Sequence, residues 1–280
     1  FLFMKFIILS AFLLFAFAAP AVAQDSPFQP VTITDDLDAP WGMAFLPDGR
    51  FLVTEKSGSL VILAPTGEQL QSISLPLPII DRRQGGLLDV ALHPDFNNNH
   101  LIYFSYVARG QGGTGTEVAR AVLENGNLSN LYVIFEARPK VRSDVHFGSR
   151  LLFDRDGYLF ITLGERFQMD RAQDLSSHHG TVVRLHDDGR VPQDNPFVSQ
   201  KGALPEIYSY GHRNVQGIAL QPGTNRIWIH EHGPQGGDEV NILKPGANYG
   251  WPVITYGIDY DDTIISEKTR QAGMEQPVIH

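Results

Sequence analysis

Gly148-Ser149-Arg150-Leu151-Leu152-Phe153-Asp154-Arg155-Asp156-Gly157-Tyr158-Leu159-Phe160-Ile161-Thr162 is a phrase that this chain repeats. A glycine opens an apolar alternation, an Asp/Gly turn interrupts it, and a second apolar run answers. Aromatic and branched side chains suit a pleated, half-buried surface, and Asp-Gly supplies the turn, so the phrase predicts a β-hairpin. Other copies begin at Gly42 (Trp41-Gly42-Met43-Ala44-Phe45-Leu46-Pro47-Asp48-Gly49-Arg50-Phe51-Leu52-Val53-Thr54), at Gly86 (to Phe96, then Leu101-Ile102-Tyr103-Phe104) and at Gly217 (to Ile229). The glycines are spaced by 44, 62 and 69 residues. A four-stranded propeller blade occupies roughly 40–50 residues, so the wider gaps predict inserted loops. Weaker hairpins are expected around Ala64-Pro65-Thr66-Gly67 and His186-Asp187-Asp188-Gly189, and no amphipathic helix of useful length stands out. Repeated hairpins without helices point to an all-β propeller rather than a sandwich, because a sandwich gives no reason for one phrase to return four times.

The ends carry different signals. Lys5 precedes an apolar run from Phe6 to Ala19, and Ala21-Val22-Ala23 matches a small-x-small cleavage site. The run is too short for a permanent anchor, so residues 1–23 read as a secretory signal peptide and 24–280 as the propeller domain, exported to the periplasm or secreted. Gln276-Pro277-Val278-Ile279-His280 reads as the opening of another strand, which predicts a C-terminally incomplete propeller. The chain has 31 acidic against 22 basic residues, a net charge of −9, which disfavours nucleic acid and anionic lipid as partners. It has no cysteine, so an exported fold must rest on its core and on any bound ions.

Several residues could carry chemistry. Tyr210-Gly211-His212-Arg213-Asn214-Val215-Gln216-Gly217 sets a permanently charged guanidinium beside an amide and glycines, a grip suited to a planar, oxygen-rich ligand. His146 stands directly before the third repeat, where loops meet the channel, and Glu165 leaves the same hairpin. If that hairpin folds back, Glu165 can hold one imidazole nitrogen while the other takes a proton. A structural, hydrogen-bonded His146 fits the spacing as well. His230-Glu231-His232 puts two imidazoles on one strand face, short of the ligands a zinc site needs. Calcium at Gly233-Pro234 or Glu239 suits carbonyl and carboxylate oxygens better. No phosphate loop, Gly-x-Ser-x-Gly elbow or cysteine motif is present.

Read in order, Ala39-Pro40-Trp41-Gly42, Gln84-Gly85-Gly86-Leu87-Leu88, His146-Phe147-Gly148-Ser149-Arg150-Leu151, Gly211-His212-Arg213-Asn214, Glu231-His232-Gly233-Pro234 and Asn248-Tyr249-Gly250-Trp251-Pro252 resemble the glucose/sorbosone dehydrogenase family, specifically its soluble aldose sugar dehydrogenases that use pyrroloquinoline quinone. The resemblance implies a six-bladed propeller with the quinone over its central channel. It implies His146 as the base for the sugar's C1 hydroxyl, Glu165 as the carboxylate orienting it, and Arg213 and Asn214 as the grip on the quinone, with Gln84 and Tyr260 as further cofactor contacts. The carbonyls of Gly233 and Pro234 match a calcium beside the quinone, and Glu239 with the Tyr249 carbonyl a second calcium. Val145 departs from the pattern, standing where the family's glucose dehydrogenases carry Asp; Asp144 is one place earlier. The implied activity is oxidation of aldoses at C1 to lactones, with an external electron acceptor, by a monomer or homodimer. A calcium-dependent propeller lactonase and a non-catalytic propeller that binds a glycan or a protein are the alternatives.

Overall fold

The computed structural model describes residues 28–280. The expected signal segment, 1–23, lies outside the described residues. Residues 28–33 carry no helix or strand, and the unit from Thr34 to His280 contains every sheet among the described residues.

In that unit the strands form four antiparallel sheets in chain order. The first holds β1 (Pro40–Phe45), β2 (Phe51–Glu55), β3 (Ser59–Leu63) and β4 (Gln69–Ser74). β5 (Leu87–Leu92), β6 (Leu101–Gly110), β7 (Gly113–Glu124) and β8 (Asn127–Glu136) make the second. The third comprises β9 (Leu151–Phe153), β10 (Leu159–Thr162), β11 (Thr181–Leu185) and β12 (Ile207–Tyr210), and the fourth β13 (Val215–Leu220), β14 (Ile227–Glu231) and β15 (Glu239–Ile242). Within each sheet, neighbours in sequence are neighbours in space. The first strands of successive sheets pack side by side, β1 on β5, β5 on β9 and β9 on β13. Meandering sheets joined through their first strands are propeller blades. Four blades lie among the described residues, where the resemblance implies six.

All four glycine-headed phrases form the expected hairpins. Their turns are set by local chemistry: the Asp154 carboxylate accepts from the amides of Asp156 (3.0 Å) and Tyr158 (2.8 Å), and Asp48 likewise accepts from the Arg50 amide at 3.2 Å. The turn at His186–Gly189 closes as expected, with the Gly189 amide on the His186 carbonyl. It does not make a hairpin, because the chain then runs through an irregular loop to Ile207. Arg184 fastens that loop through Asn195 at 2.8 Å and Asp194 at 2.5 Å. This loop and the segment between β10 and β11 account for the wide spacing after Gly148. The wide spacing after Gly86 comes from long strands instead, β6 to β8 being 10, 12 and 10 residues.

Each inner sheet is buried on both faces, which is why its strands read as near-continuous apolar runs. On β6, Ile102, Phe104 and Tyr106 pack with Leu52, Leu60 and Ile62 of the first blade. Tyr103, pointing the other way, packs with Leu159, Ile161 and Val183 of the third. Phe160 turns from that cluster to meet Val215, Ile227 and Ile229 of the fourth. Truncating a side chain as buried as Phe104 or Phe160 to Ala would cost about 3–5 kcal/mol.

Among the described residues helix is scarce: one four-residue α-helix (Phe96–Asn99) and a 3₁₀ turn (Met169–Gln173). Among the described residues no helix is long and apolar enough to cross a membrane. At the chain's end, Val240 and Ile279 form an antiparallel bridge, so the segment expected to open a strand lies along β15.

Candidate active site

The loop before β9 and the loop after β10 bring His146 and Glu165 together. Nδ1 of His146 lies 2.6 Å from Glu165 Oε1, and both residues are buried, at 7% and 1% exposure. A carboxylate only accepts, so Nδ1 carries the proton and Nε2 presents its lone pair. Among the described residues no hydrogen bond engages Nε2. Glu165 is itself fixed: its other oxygen accepts from the Gln168 amide at 2.5 Å, and its own amide donates to the Arg213 carbonyl at 2.9 Å. Such closeness requires glycine at 164, where a Cβ would stand 2.2 Å from the His146 carbonyl oxygen.

Two amides border this pair, each held by its oxygen. Gln84 Oε1 accepts from the His146 amide at 2.7 Å, and Asn214 Oδ1 from the Gly148 amide at 3.1 Å. Among the described residues, neither Nε2 of Gln84 nor Nδ2 of Asn214 donates to a protein acceptor. Both therefore offer free N–H groups to a cleft of about 320 Å³, also lined by Trp41, Lys56, Arg83, Phe147 and His232. Trp41 is stacked under Arg150, whose guanidinium carbon is 4.0 Å from the ring centroid and whose Nη1 reaches Asp89 at 3.2 Å. Free amide donors, two cationic side chains and flat aromatic walls fit a planar, anionic, oxygen-rich group such as a carboxylated quinone.

Arg213 is buried next to this cleft but not among the residues lining it. Its Nη1 donates to the carbonyls of Gly233 (2.6 Å) and His232 (3.1 Å). The Gly233 carbonyl, expected to meet calcium, is thus held by the guanidinium here, while those of Pro234 and Tyr249 accept no hydrogen bond among the described residues. Tyr260 is 63% exposed and 5.9 Å from the Arg213 guanidinium, outside the cleft lining. Asp144, the acid nearest Val145, pairs with Arg82 at 3.0 Å.

Sequence reasoning missed Glu231 as a site residue. It accepts from the Arg213 amide at 2.6 Å and holds His212 Nδ1 at 2.8 Å, with Ser209 Oγ 2.9 Å from the far nitrogen. Ser209-His212-Glu231 has the order of a nucleophilic triad, but Ser209 and His212 are fully buried, so no substrate reaches the hydroxyl. Its effect is to lock the backbone of Arg213. Glu231 also lines a small pocket with Glu239, Gly233, Tyr249 and Trp251. Burial first, then the Glu231 charge, pushes the Glu239 carboxyl up to about 7. Two opposed carboxylates beside an uncommitted carbonyl suit a hard cation. The adjacent histidines His178 and His179 are buried and structural: His178 bonds Glu206 at 2.9 Å, His179 bonds the Pro139 carbonyl at 2.9 Å, and burial lowers His179 to about 4. Among the described residues no three His, Asp or Glu groups gather as a metal cluster.

Together these features are those of an all-β propeller with a ligand cleft at the mouth of its inner strands. The profile of the glucose/sorbosone dehydrogenase family matches residues 37–280, and the chain belongs to that family. It is 44% identical over 273 residues to aldose sugar dehydrogenase YliI of Escherichia coli, covering 94% of this chain and 71% of that protein. The crystal structure of the soluble aldose sugar dehydrogenase from Escherichia coli in its apo form superposes with a TM-score of 0.84 at 43% identity, covering 87% of this chain and 72% of that one. A PQQ-bound aldose sugar dehydrogenase from Streptomyces coelicolor gives 0.75 at 30% identity, over 89% and 69%.

Proposed function

We propose that this protein is a quinoprotein that oxidises aldose sugars at C1 to lactones. One observation carries the reading: an imidazole tied through Nδ1 to a buried carboxylate, its Nε2 uncommitted, beside a cleft of free amide donors. The similarity to a PQQ-bound aldose sugar dehydrogenase supports the cofactor.

When bound, pyrroloquinoline quinone supplies the two-electron acceptor that takes the C1 hydrogen as hydride. Gln84 and Asn214 would hold its oxygens through their free N–H groups, and Lys56 and Arg83 would balance its carboxylates. His146 Nε2 accepts the proton of the C1 hydroxyl as that C–H bond breaks, and Glu165 stabilises the imidazolium that results. Losing one proton and one hydride turns the cyclic hemiacetal into the lactone. Arg213 leaves its anchor on the Gly233 carbonyl and supplies fixed positive charge where negative charge develops. Once released, the Gly233 carbonyl and the already uncommitted Pro234 carbonyl would hold one calcium, with Glu239 and the Tyr249 carbonyl at a second. The reading extends to six blades around one channel, a periplasmic or secreted location, an external electron acceptor, and a monomer or homodimer.

The test is dye-linked oxidation of aldoses by the full-length protein given calcium and the quinone. Turnover that falls by roughly a hundredfold or more in His146→Gln supports the assignment. Absence of turnover, or an unchanged variant, rejects it.

A further inference from the structure

Between Glu165 and Gln168 the chain makes a tight turn, closed by the Gln168 amide on the Glu165 carbonyl at 3.0 Å. Its central residues, Arg166 and Phe167, have φ of +61° and +59°. Positive φ at both central positions is the habit of Asn-Gly; two bulky side chains there are strained. The strain is held by Arg166, which is buried and donates to the carbonyl of Thr114 at 2.8 Å, its hydroxyl at 3.2 Å, the Val145 carbonyl at 2.9 Å and the Ser143 carbonyl. Its guanidinium carbon also sits 3.7 Å from the Phe147 ring centroid.

With Arg166 fixed inward, Phe167 is driven outward. Its side chain is 63% exposed, and its ring meets the His146 imidazole edge-on, centroids 5.6 Å apart. Folding gains nothing from a strained, solvent-facing phenyl ring. A strained residue next to a reactive one points to a role in binding. The phenyl face is flat, apolar and adjacent to the imidazole that would take the substrate proton. Those properties match the C–H face of a pyranose ring, which rests on aromatic rings and leaves its hydroxyls at the rim.

We propose that Phe167 is the sugar platform of this site: an aldopyranose stacks its C–H face on the phenyl ring, which sets its C1 hydroxyl toward His146 Nε2. The assignment deepens the dehydrogenase reading and rests on it for the chemistry, but not for the binding.

Phe167→Gly separates the two roles of the residue, because glycine removes the ring and also relieves the positive φ. In the full-length protein loaded with quinone and calcium, this variant shows a raised Tm and a KM for D-glucose raised about tenfold, with a smaller fall in kcat; Phe167→Trp restores KM. A KM unchanged in Phe167→Gly overturns the platform, as does a loss confined to kcat with a shifted pH profile, which would make the ring a support for His146 alone. Saturation-transfer NMR with D-glucose on the quinone-free protein gives a second readout. Transfer to the pyranose C–H protons in the wild type, lost in Phe167→Gly, supports the platform, and equal transfer in both overturns it. Sugar binding that depends on Phe167 without any turnover keeps the platform and rejects the redox reading.

Discussion

Glu231 and Glu239 stand directly opposite one another across the β14–β15 ladder. Like charges at such a pair repel, and here both line one small pocket. The folded chain keeps the Glu239 proton up to about pH 7, whereas an ordinary glutamate releases it near 4.5. Between those values the folded state binds the extra proton, so stability falls as pH rises through the window. The cost above it is on the order of 2–3 kcal/mol, discounted for partial solvent access. Metal-free protein should therefore have a lower Tm at pH 8 than Glu239→Gln, with the difference vanishing near pH 4.5. Added calcium should raise the wild-type Tm more at pH 8 than at pH 5.5, and should raise that of the variant less than that of the wild type at pH 8. Thermal melts across pH, with and without calcium, check each part.

Glu165→Gln keeps the size of the side chain but offers Nδ1 an amide that donates or accepts. The imidazole is then free to carry its proton on Nε2, where it cannot act as a base. We expect kcat on aldoses to drop by about a hundredfold or more with KM little changed, read from steady-state rates of the loaded full-length protein.

Gly164→Ala pushes a methyl group against the His146 carbonyl and within 2.7 Å of Asn214 Oδ1. The His146 carbonyl is backbone and cannot swing aside, so the loop must shift. The expected loss is roughly 2–4 kcal/mol by chemical denaturation. Because a displacement of about 1 Å can cost a hundredfold in rate, activity should fall further than stability alone explains.

Arg166→Met removes the donor to the Val145 carbonyl and one of the two donors to each of the Thr114 and Ser143 carbonyls, which keep the Val141 amide and the Thr114 hydroxyl. Burial lowers the guanidinium to about 10, so it is still charged at neutral pH and its hydrogen bonds are charge-assisted. We expect destabilisation of about 3 kcal/mol by denaturant titration, and only part of it recovered by Arg166→Lys, whose single ammonium cannot span three carbonyls.

The hairpins that begin at Gly42, Gly86, Gly148 and Gly217 were legible because their turns and alternations are local. The β7–β8 hairpin went unread although it turns on Asn125-Gly126, both with positive φ, a strong short-range signal. His186–Gly189 misled in the opposite direction: the turn chemistry is real, but packing decides where the chain goes after a turn, here through Arg184 on Asn195. At the site, His146 and Glu165 could be paired from one hairpin's geometry. Glu231 could not: strand alternation puts it on the buried face of Ile227 and Ile229, but its partners, His212 and the Arg213 amide, come from the loop before β13 and follow no local pattern. The free amide donors of Gln84 and Asn214 were equally hidden, because which end of an amide is spent depends on backbone from another blade.

The hydrogen bond from the Glu165 amide to the Arg213 carbonyl ties the β10–β11 loop of the third blade to the entrance of the fourth. One carries the partner of the proton acceptor and the other the ligand grip, so both are surveyed from a single datum. Slippage of one blade past the other would disengage the two halves of the site together while each sheet stayed intact. Heat should then silence the protein a few degrees before its far-ultraviolet circular dichroism changes, and ligands that span both blades should close that interval.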